Sequence, residues 1–223
     1  IANAESESLL ALKHWNAELS PETITEKKQK KVQSLSINVT QVCNLQCVYC
    51  AAGGDGTYGR AQRKISISKT LPQLDLLINR LEAGEQFNIT FLGGEPLLYP
   101  QGIELIAEHA IELAEQKAIS LRFQIITNGT LFNDDTVALL KRFDFNISIS
   151  IDGPAQINDT QRPSAGGKGS TAKVLEGLQL LLKNRSKKQT IKVQGVFGPH
   201  NAEVFKAYQF YRELGVDTFE FNF

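Results

Sequence analysis

Cys43, Cys47 and Cys50 are the only thiols in 223 residues, and all three fall in one eight-residue window, Cys-Asn-Leu-Gln-Cys-Val-Tyr-Cys. The spacing C-x3-C-x2-C delivers three thiolates from a single short loop. Three is an awkward number for most uses of clustered cysteine. A disulfide leaves one thiol over, and closely spaced pairs bridge badly outside redox motifs. A structural zinc site takes four N or S ligands. His14, His109 and His200 are far from the loop in sequence and lack ligand-like neighbours, so a histidine as fourth ligand is the weaker alternative. A ferredoxin-type run needs a fourth cysteine beside a proline, which this chain lacks. A [4Fe–4S] cluster is normally held by four Cys thiolates, one per iron. A [4Fe–4S] cluster held by only three leaves one iron open to an outside ligand. That is the requirement for chemistry in which a cluster grips and reduces a small molecule.

Such a loop needs a scaffold, and the rest of the chain reads as strands alternating with helices. Short β-branched or aromatic runs bounded by Gly, Asn, Asp or Pro predict strands over 34–40, 87–91, 120–127, 146–151, 192–197 and 218–223. Apolar residues at helical spacing predict helices over 69–83, 102–117, 136–143, 170–184 and 201–214. Gly84 and Gly215 read as helix stops. Asn133 reads as a cap, followed by the dipole-matched acids Asp134 and Asp135. This alternation argues for an α/β fold with a parallel sheet, either doubly wound and open or an incomplete barrel. Ahead of it, residues 4–19 carry Leu9, Leu12, Trp15 and Leu19 on one helical face, and 26–31 is a charged run. The expected organisation is an N-terminal helical extension and linker over 1–32 and a core over 33–223. The extension reads as a packing helix, with docking of a leader peptide as the lesser alternative.

The remaining unusual residues collect at the ends of the predicted strands. The cysteine loop follows the first, Gly93-Gly94-Glu95-Pro96 the second, and Thr127-Asn128-Gly129 ends the third. Ser150-Ile151-Asp152-Gly153-Pro154 ends the fourth, and Gly198-Pro199-His200-Asn201 follows the fifth. Taken singly, Gly-Gly, Asn-Gly and Asp-Gly-Pro are ordinary turn signals. In a parallel β/α array, however, all of these loops open on one face, where such folds bind ligands. Pro96 biases Glu95 toward extended backbone, from which carbonyl oxygens can meet an ammonium group.

Composition narrows the class. Lys and Arg number 24, as do Asp and Glu, so a net charge of zero gives no reason to expect nucleic acid or a charged membrane surface as partner. No apolar run is long enough to span a bilayer, and no secretory signal pattern is present. Clustered free thiols imply a reducing compartment, hence the cytoplasm. The chain begins at Ile1 and has no methionine. That is the pattern of a fragment, or of a sequence missing its methionine positions, in which case some spacings are shortened.

The cysteine motif with Tyr49 before its last cysteine, Phe91–Pro96, Thr127-Asn128-Gly129 and Ser150–Pro154 together resemble the radical S-adenosylmethionine (radical SAM) enzymes. The Ser-x-Asp-Gly-Pro element, the stretches 158–162 and 166–170, and the glycine-rich 51–59 resemble a subgroup of peptide and protein maturases. That subgroup includes anaerobic sulfatase-maturating enzymes and makers of ribosomally synthesised peptide products. The resemblance covers about residues 33–223 and implies a partial (β/α)6 TIM-like barrel. It implies that Cys43, Cys47 and Cys50 ligate three irons, the fourth chelating S-adenosylmethionine. It implies that Tyr49 lies beside the adenine and that Gly93, Gly94, Glu95 and Pro96 hold the methionine ammonium. Asn128, Ser150 and Asp152 would lie near ribose or substrate, Arg162 would pair the carboxylate, and Val196 would pack on the adenine. The implied reaction is reductive cleavage to a 5′-deoxyadenosyl radical, which takes hydrogen from a peptide or protein side chain, with flavodoxin or ferredoxin as electron donor. A small-molecule substrate is the alternative, and a non-catalytic Fe–S or zinc module the weaker one. Maturases of this subgroup continue into a C-terminal region with auxiliary Fe–S clusters. This chain has no cysteines for one; truncation is the favoured expectation, and a protein that lacks auxiliary clusters is the alternative.

Overall fold

In the computed structural model the described residues are 31–50, 64–199 and 201–223. The chain divides into two units, Ile1–Val32 and Gln33–Phe223. The expected helix over 4–19, nearly all of the charged run, the glycine-rich 51–59 and His200 lie outside the described residues. Within Gln33–Phe223, six strands form one sheet in sequential order: β1 (Ser34–Thr40), β2 (Gln86–Gly93), β3 (Ser120–Thr127), β4 (Asn146–Ser150), β5 (Ile191–Val196) and β6 (Thr218–Asn222). Every neighbouring pair is parallel. A doubly wound sheet reverses its strand order at a switch point, and this one never reverses. Right-handed crossovers in unbroken order place every helix on the same side. The result is a partial (β/α)6 barrel whose sheet stays open, which decides between the two architectures the sequence allowed.

The helices are α1 (Ile67–Ile78), α2 (Pro100–Lys117), α3 (Asp134–Arg142), α4 (Ala155–Gln161), α5 (Thr171–Asn184) and α6 (Val204–Tyr211), with a 3-10 turn at Pro96–Leu98. The Asn133 cap is realised as a reciprocal pair: its side chain accepts from the Thr136 amide, and Thr136 Oγ1 accepts from the Asn133 amide, both at 2.9 Å. Two helices are shorter than their apolar spacing suggested. α1 stops at Ile78, where Lys117 Nζ donates to the Asn79 carbonyl at 2.8 Å, and Gly84 instead makes a turn at φ 84°. α6 begins only at Val204, because Asn201 is used in a tight turn with Gly198. α4 has no counterpart in the sequence reading.

Strand register sorts the sheet into two unlike faces. Ile37, Val39, Ile89, Phe91, Ile125, Ile147, Ile149, Ile191 and Val193 are buried and join the helices in one apolar core. The alternate positions, among them Ser36, Thr90, Gln124, Asn146, Ser148, Lys192 and Gln194, fall on the other face. Closed TIM barrels fill that inner face with branched apolar residues. This one lines it with hydroxyl, amide and charged groups, which suits a polar ligand and water.

One close backbone crossing fixes the mouth of the barrel. Past Thr40 the chain runs against the end of β2, with the Gly94 amide donating to the Thr40 carbonyl and the Glu95 amide to the Val42 carbonyl, each at 2.8 Å. A Cβ on Gly94 would lie 2.3 Å from the Val42 oxygen, and one on Gly93, at φ 153°, 2.3 Å from the Thr40 oxygen. Both glycines are therefore required by the crossing itself. Gly94→Ala should lower the free energy of unfolding by about 1–3 kcal/mol. Gly166→Ala, with nothing within 4 Å of the added carbon, should change it by less than about 0.5 kcal/mol. Urea denaturation of the two variants checks the contrast.

Candidate active site at the strand ends

The cysteine loop has almost no regular structure of its own and is held by its neighbours. The Gln46 amide donates to the Pro163 carbonyl at 2.8 Å and the Val48 amide to the Gln161 carbonyl at 2.9 Å. The Ala165 amide donates to the Asn44 carbonyl at 3.1 Å, and Leu45 pairs antiparallel with Ser164. The partner segment is thus the chain leaving α4, the helix that sequence reasoning missed. Cys43 and Cys47 are half-buried and Cys50 is exposed. Burial raises the Cys43 thiol, and it pushes Cys47 up to about 11 against the pull of Arg162. Neighbouring sulfurs add to both shifts, Cys50 acting on Cys43, and Cys43 and Cys50 acting on Cys47. Among the described residues, no three His, Cys, Asp or Glu side chains converge as ligands of a single ion would. Three thiols on one short loop make up the donor set that a multi-iron group takes, with one thiolate on each iron.

Four sequence-expected residues meet at a buried carboxylate. Asp152 is fully buried. Its Oδ2 accepts from the Tyr49 hydroxyl at 2.7 Å, and its Oδ1 accepts from the Val196 amide at 3.0 Å. Arg162, also buried, donates to the Tyr49 hydroxyl oxygen and lies 3.8 Å from Asp152 Oδ1. Burial opposes the Arg162 charge, but Cys47, Tyr49 and Asp152 outweigh it and hold the guanidinium protonated. Burial likewise raises the Tyr49 hydroxyl far above its ordinary range, so it stays a donor. Two residues outside the expected set support the node. Asn158 on α4 accepts from the Asp152 amide at 3.0 Å and donates to Thr171 Oγ1 at 2.9 Å, and the Tyr211 hydroxyl donates to the Ile151 carbonyl. Asn158 stood in the sequence only as part of a motif, and Tyr211 only within the predicted helix 201–214.

Glu95 and Asn128 form a second node. The Glu95 carboxylate is fully buried and accepts from the Leu97 amide at 3.0 Å, the Thr127 hydroxyl at 2.7 Å and the Asn128 amide at 2.7 Å. Desolvation raises its pKa, against the lowering effect of those donors. Its side chain thus staples the end of β2 to the end of β3. Asn128 reaches the cysteine loop, with Nδ2 donating to Asn44 Oδ1 at 2.9 Å. Ser150 stands apart on the polar sheet face, accepting from Gln194 Nε2 at 3.4 Å. The Val196 side chain is partly exposed, and only its backbone joins the Asp152 node.

The model of the Radical SAM superfamily matches residues 37–220. The chain belongs to the radical SAM superfamily. Membership implies S-adenosylmethionine and a [4Fe–4S] cluster, and the three-thiol loop has the donor set for such a cluster. Among curated proteins, this radical SAM chain is 30% identical over 175 residues to a cysteine-type anaerobic sulfatase-maturating enzyme of Clostridium novyi, covering 77% of this chain and 45% of that protein. It is 30% identical over 188 residues to a serine-type counterpart of Bacteroides thetaiotaomicron, covering 82% and 44%. The chain thus spans about half the length of the curated relatives it matches. Among solved structures, anSMEcpe with bound AdoMet and Cp18Cys peptide superposes with a TM-score of 0.70 at 24% identity, covering 86% of this chain and 51% of that one, a likeness of fold. Among the described residues, no helix is long and apolar enough to cross a membrane.

The Glu95 staple yields a direct test. Glu95→Gln sets an amide NH2 group against a buried donor and should cost about 1–3 kcal/mol of stability. Glu104→Gln, in a solvent-exposed pair with Arg142, should cost less than about 1 kcal/mol. Equilibrium denaturation of both variants checks the difference.

Proposed function

We propose that this chain is the radical SAM core of a maturase that modifies a peptide or protein side chain in the cytoplasm. Cys43, Cys47 and Cys50 would hold the [4Fe–4S] cluster, leaving one iron for S-adenosylmethionine. When bound, the cluster would supply the electron for reductive cleavage of S-adenosylmethionine, the chemistry by which hydrogen would be taken from the substrate. The observation that carries the reading is the three-thiol loop, in a chain related by sequence to sulfatase-maturating enzymes.

The protein's own part is to orient reactants and exclude water, since the cofactors carry the hard chemistry. The backbone of Gly93, Gly94, Glu95 and Pro96 would meet the methionine ammonium. Its glycines let the chain past Thr40 run close against it, while the Glu95 carboxylate is occupied by three protein donors. Arg162 would offer a guanidinium to the carboxylate, a pairing that favours arginine. Asp152, through Tyr49, would fix the ring expected beside the adenine. Asn128, Ser150 and Val196 would line the space toward ribose, substrate and adenine. The polar sheet face, with Gln124, Ser148, Lys192 and Gln194, suits a peptide presenting amides and polar side chains. A low-potential donor such as flavodoxin or ferredoxin would supply the electron. Auxiliary clusters are not assigned to this chain, whose three cysteines all lie in the one loop.

The test is anaerobic reconstitution with iron and sulfide, then dithionite and S-adenosylmethionine, with 5′-deoxyadenosine read by mass spectrometry. Wild-type protein should form it, and Cys43→Ala should fall to the level of the protein-free control. A fully loaded wild-type cluster that yields none would contradict the proposal.

A further inference from the structure

We propose that Asn128 tunes the reduction potential of the cluster by aiming a carboxamide N–H at the sulfur of Cys43. The inference rests on the cluster reading above. Asn128 Nδ2 lies 3.8 Å from Cys43 Sγ, and the Leu45 amide donates to the same sulfur at 3.4 Å. Both hydrogen bonds that end on a cysteine sulfur among the described residues therefore end on Cys43.

A carboxamide is useful for this purpose only if it cannot turn over, and a closed ring prevents it. Asn128 Nδ2 donates to Asn44 Oδ1 at 2.9 Å, Asn44 Nδ2 donates to Thr130 Oγ1 at 2.7 Å, and the Thr130 hydroxyl returns to Asn128 Oδ1 at 2.7 Å. The Thr130 amide adds a second donor to Asn128 Oδ1 at 2.9 Å. Flipping the amide would set its NH2 group against two donors and its oxygen against a sulfur. An asparagine amide has two hydrogens. One closes the ring, which leaves the other for Cys43. The Asn128 backbone is held as firmly, its amide bonded to the buried Glu95 at 2.7 Å.

One-electron reduction of a cluster adds negative charge that spreads onto its ligand sulfurs, and hydrogen bonds to those sulfurs are one of the levers on potential. In a site with little water such a bond is electrostatically stronger than in solution. Asn128, held in a nearly solvent-free position, would make the cluster easier to reduce. Asn128 acts on the cluster only through Cys43, so it is a positioning residue. A role confined to stapling the loop would leave the potential unmoved.

The experiment is an anaerobic potentiometric titration of the reconstituted cluster, without S-adenosylmethionine, read by EPR. It compares wild type with Asn128→Ala, Asn128→Asp and Thr130→Val, each checked for iron content. At the wild-type midpoint, Asn128→Ala should lower the reduced-to-oxidised ratio about tenfold, which for a one-electron couple is about 59 mV. Asn128→Asp, which adds a negative charge, should lower it further. Thr130→Val, which removes the hydroxyl that closes the ring and loosens the carboxamide without touching a sulfur, should shift it in the same direction by less. A loaded Asn128→Ala cluster whose ratio stays within about twofold of wild type overturns the inference. Where the Asn128 variants fail to load, an unshifted Thr130→Val cluster overturns it equally. Wild-type protein that forms no cluster overturns the reading beneath it instead, and the two failures are thereby distinguished.

Discussion

Three sulfurs must be held at fixed separations by a loop with little structure of its own, and the buried carboxylate of Asp152 is where that loop is tied down. An isolated ionised carboxylate in such a position is costly unless paired and hydrogen-bonded. Asp152 meets both conditions, with the Tyr49 hydroxyl and Val196 amide as donors and Arg162 close by. Because Tyr49 belongs to the cysteine motif and Val196 ends β5, one group joins the loop to the far side of the barrel mouth. The groups are mutually dependent: the buried Asp152 and Arg162 lie 3.8 Å apart, and the Tyr49 hydroxyl donates to one and accepts from the other.

The second anchor works on the opposite flank. Glu95 joins β2 to β3, and Asn128 carries that rigidity to Asn44 and Cys43. Side-chain networks of this kind specify one arrangement only when every member is satisfied. In the Asn44–Asn128–Thr130 ring each donor finds an acceptor. The cysteine loop is thus gripped from both ends of its motif by groups belonging to different strands. Such positioning is what a radical reaction needs, since a reactive intermediate must meet its target and little else.

The strands were legible because each is a short β-branched or aromatic run ended by Gly, Pro, Asn or Asp, and local preference agrees with the final structure. The cysteines and the strand-end motifs were legible for the same reason: rare residue types fell at repeated places in the β/α pattern. α4 was not, since Ala155–Gln161 is mostly polar and carries no apolar stripe. Its purpose is to place Asn158 under Asp152 and to lead the chain to the cysteine loop. Gly93 and Gly94 could be read as turn signals or as ligand-facing backbone, and only the crossing at Thr40 and Val42 shows the packing reason for them. Glu95 was legible as unusual, but that its carboxylate turns inward to three protein donors is a tertiary fact. Nor could spacing reveal the Asn128 ring, whose members are 84 and 86 residues apart.

The central claim is that the loop presents a cluster with one iron left open to S-adenosylmethionine. The most direct measurement is the EPR spectrum of the reduced, reconstituted cluster with and without S-adenosylmethionine. A ligand that enters the iron's own coordination sphere should change the g-values and line shape. An identical spectrum at saturating S-adenosylmethionine would mean that no iron is open to it, and the account would be contradicted.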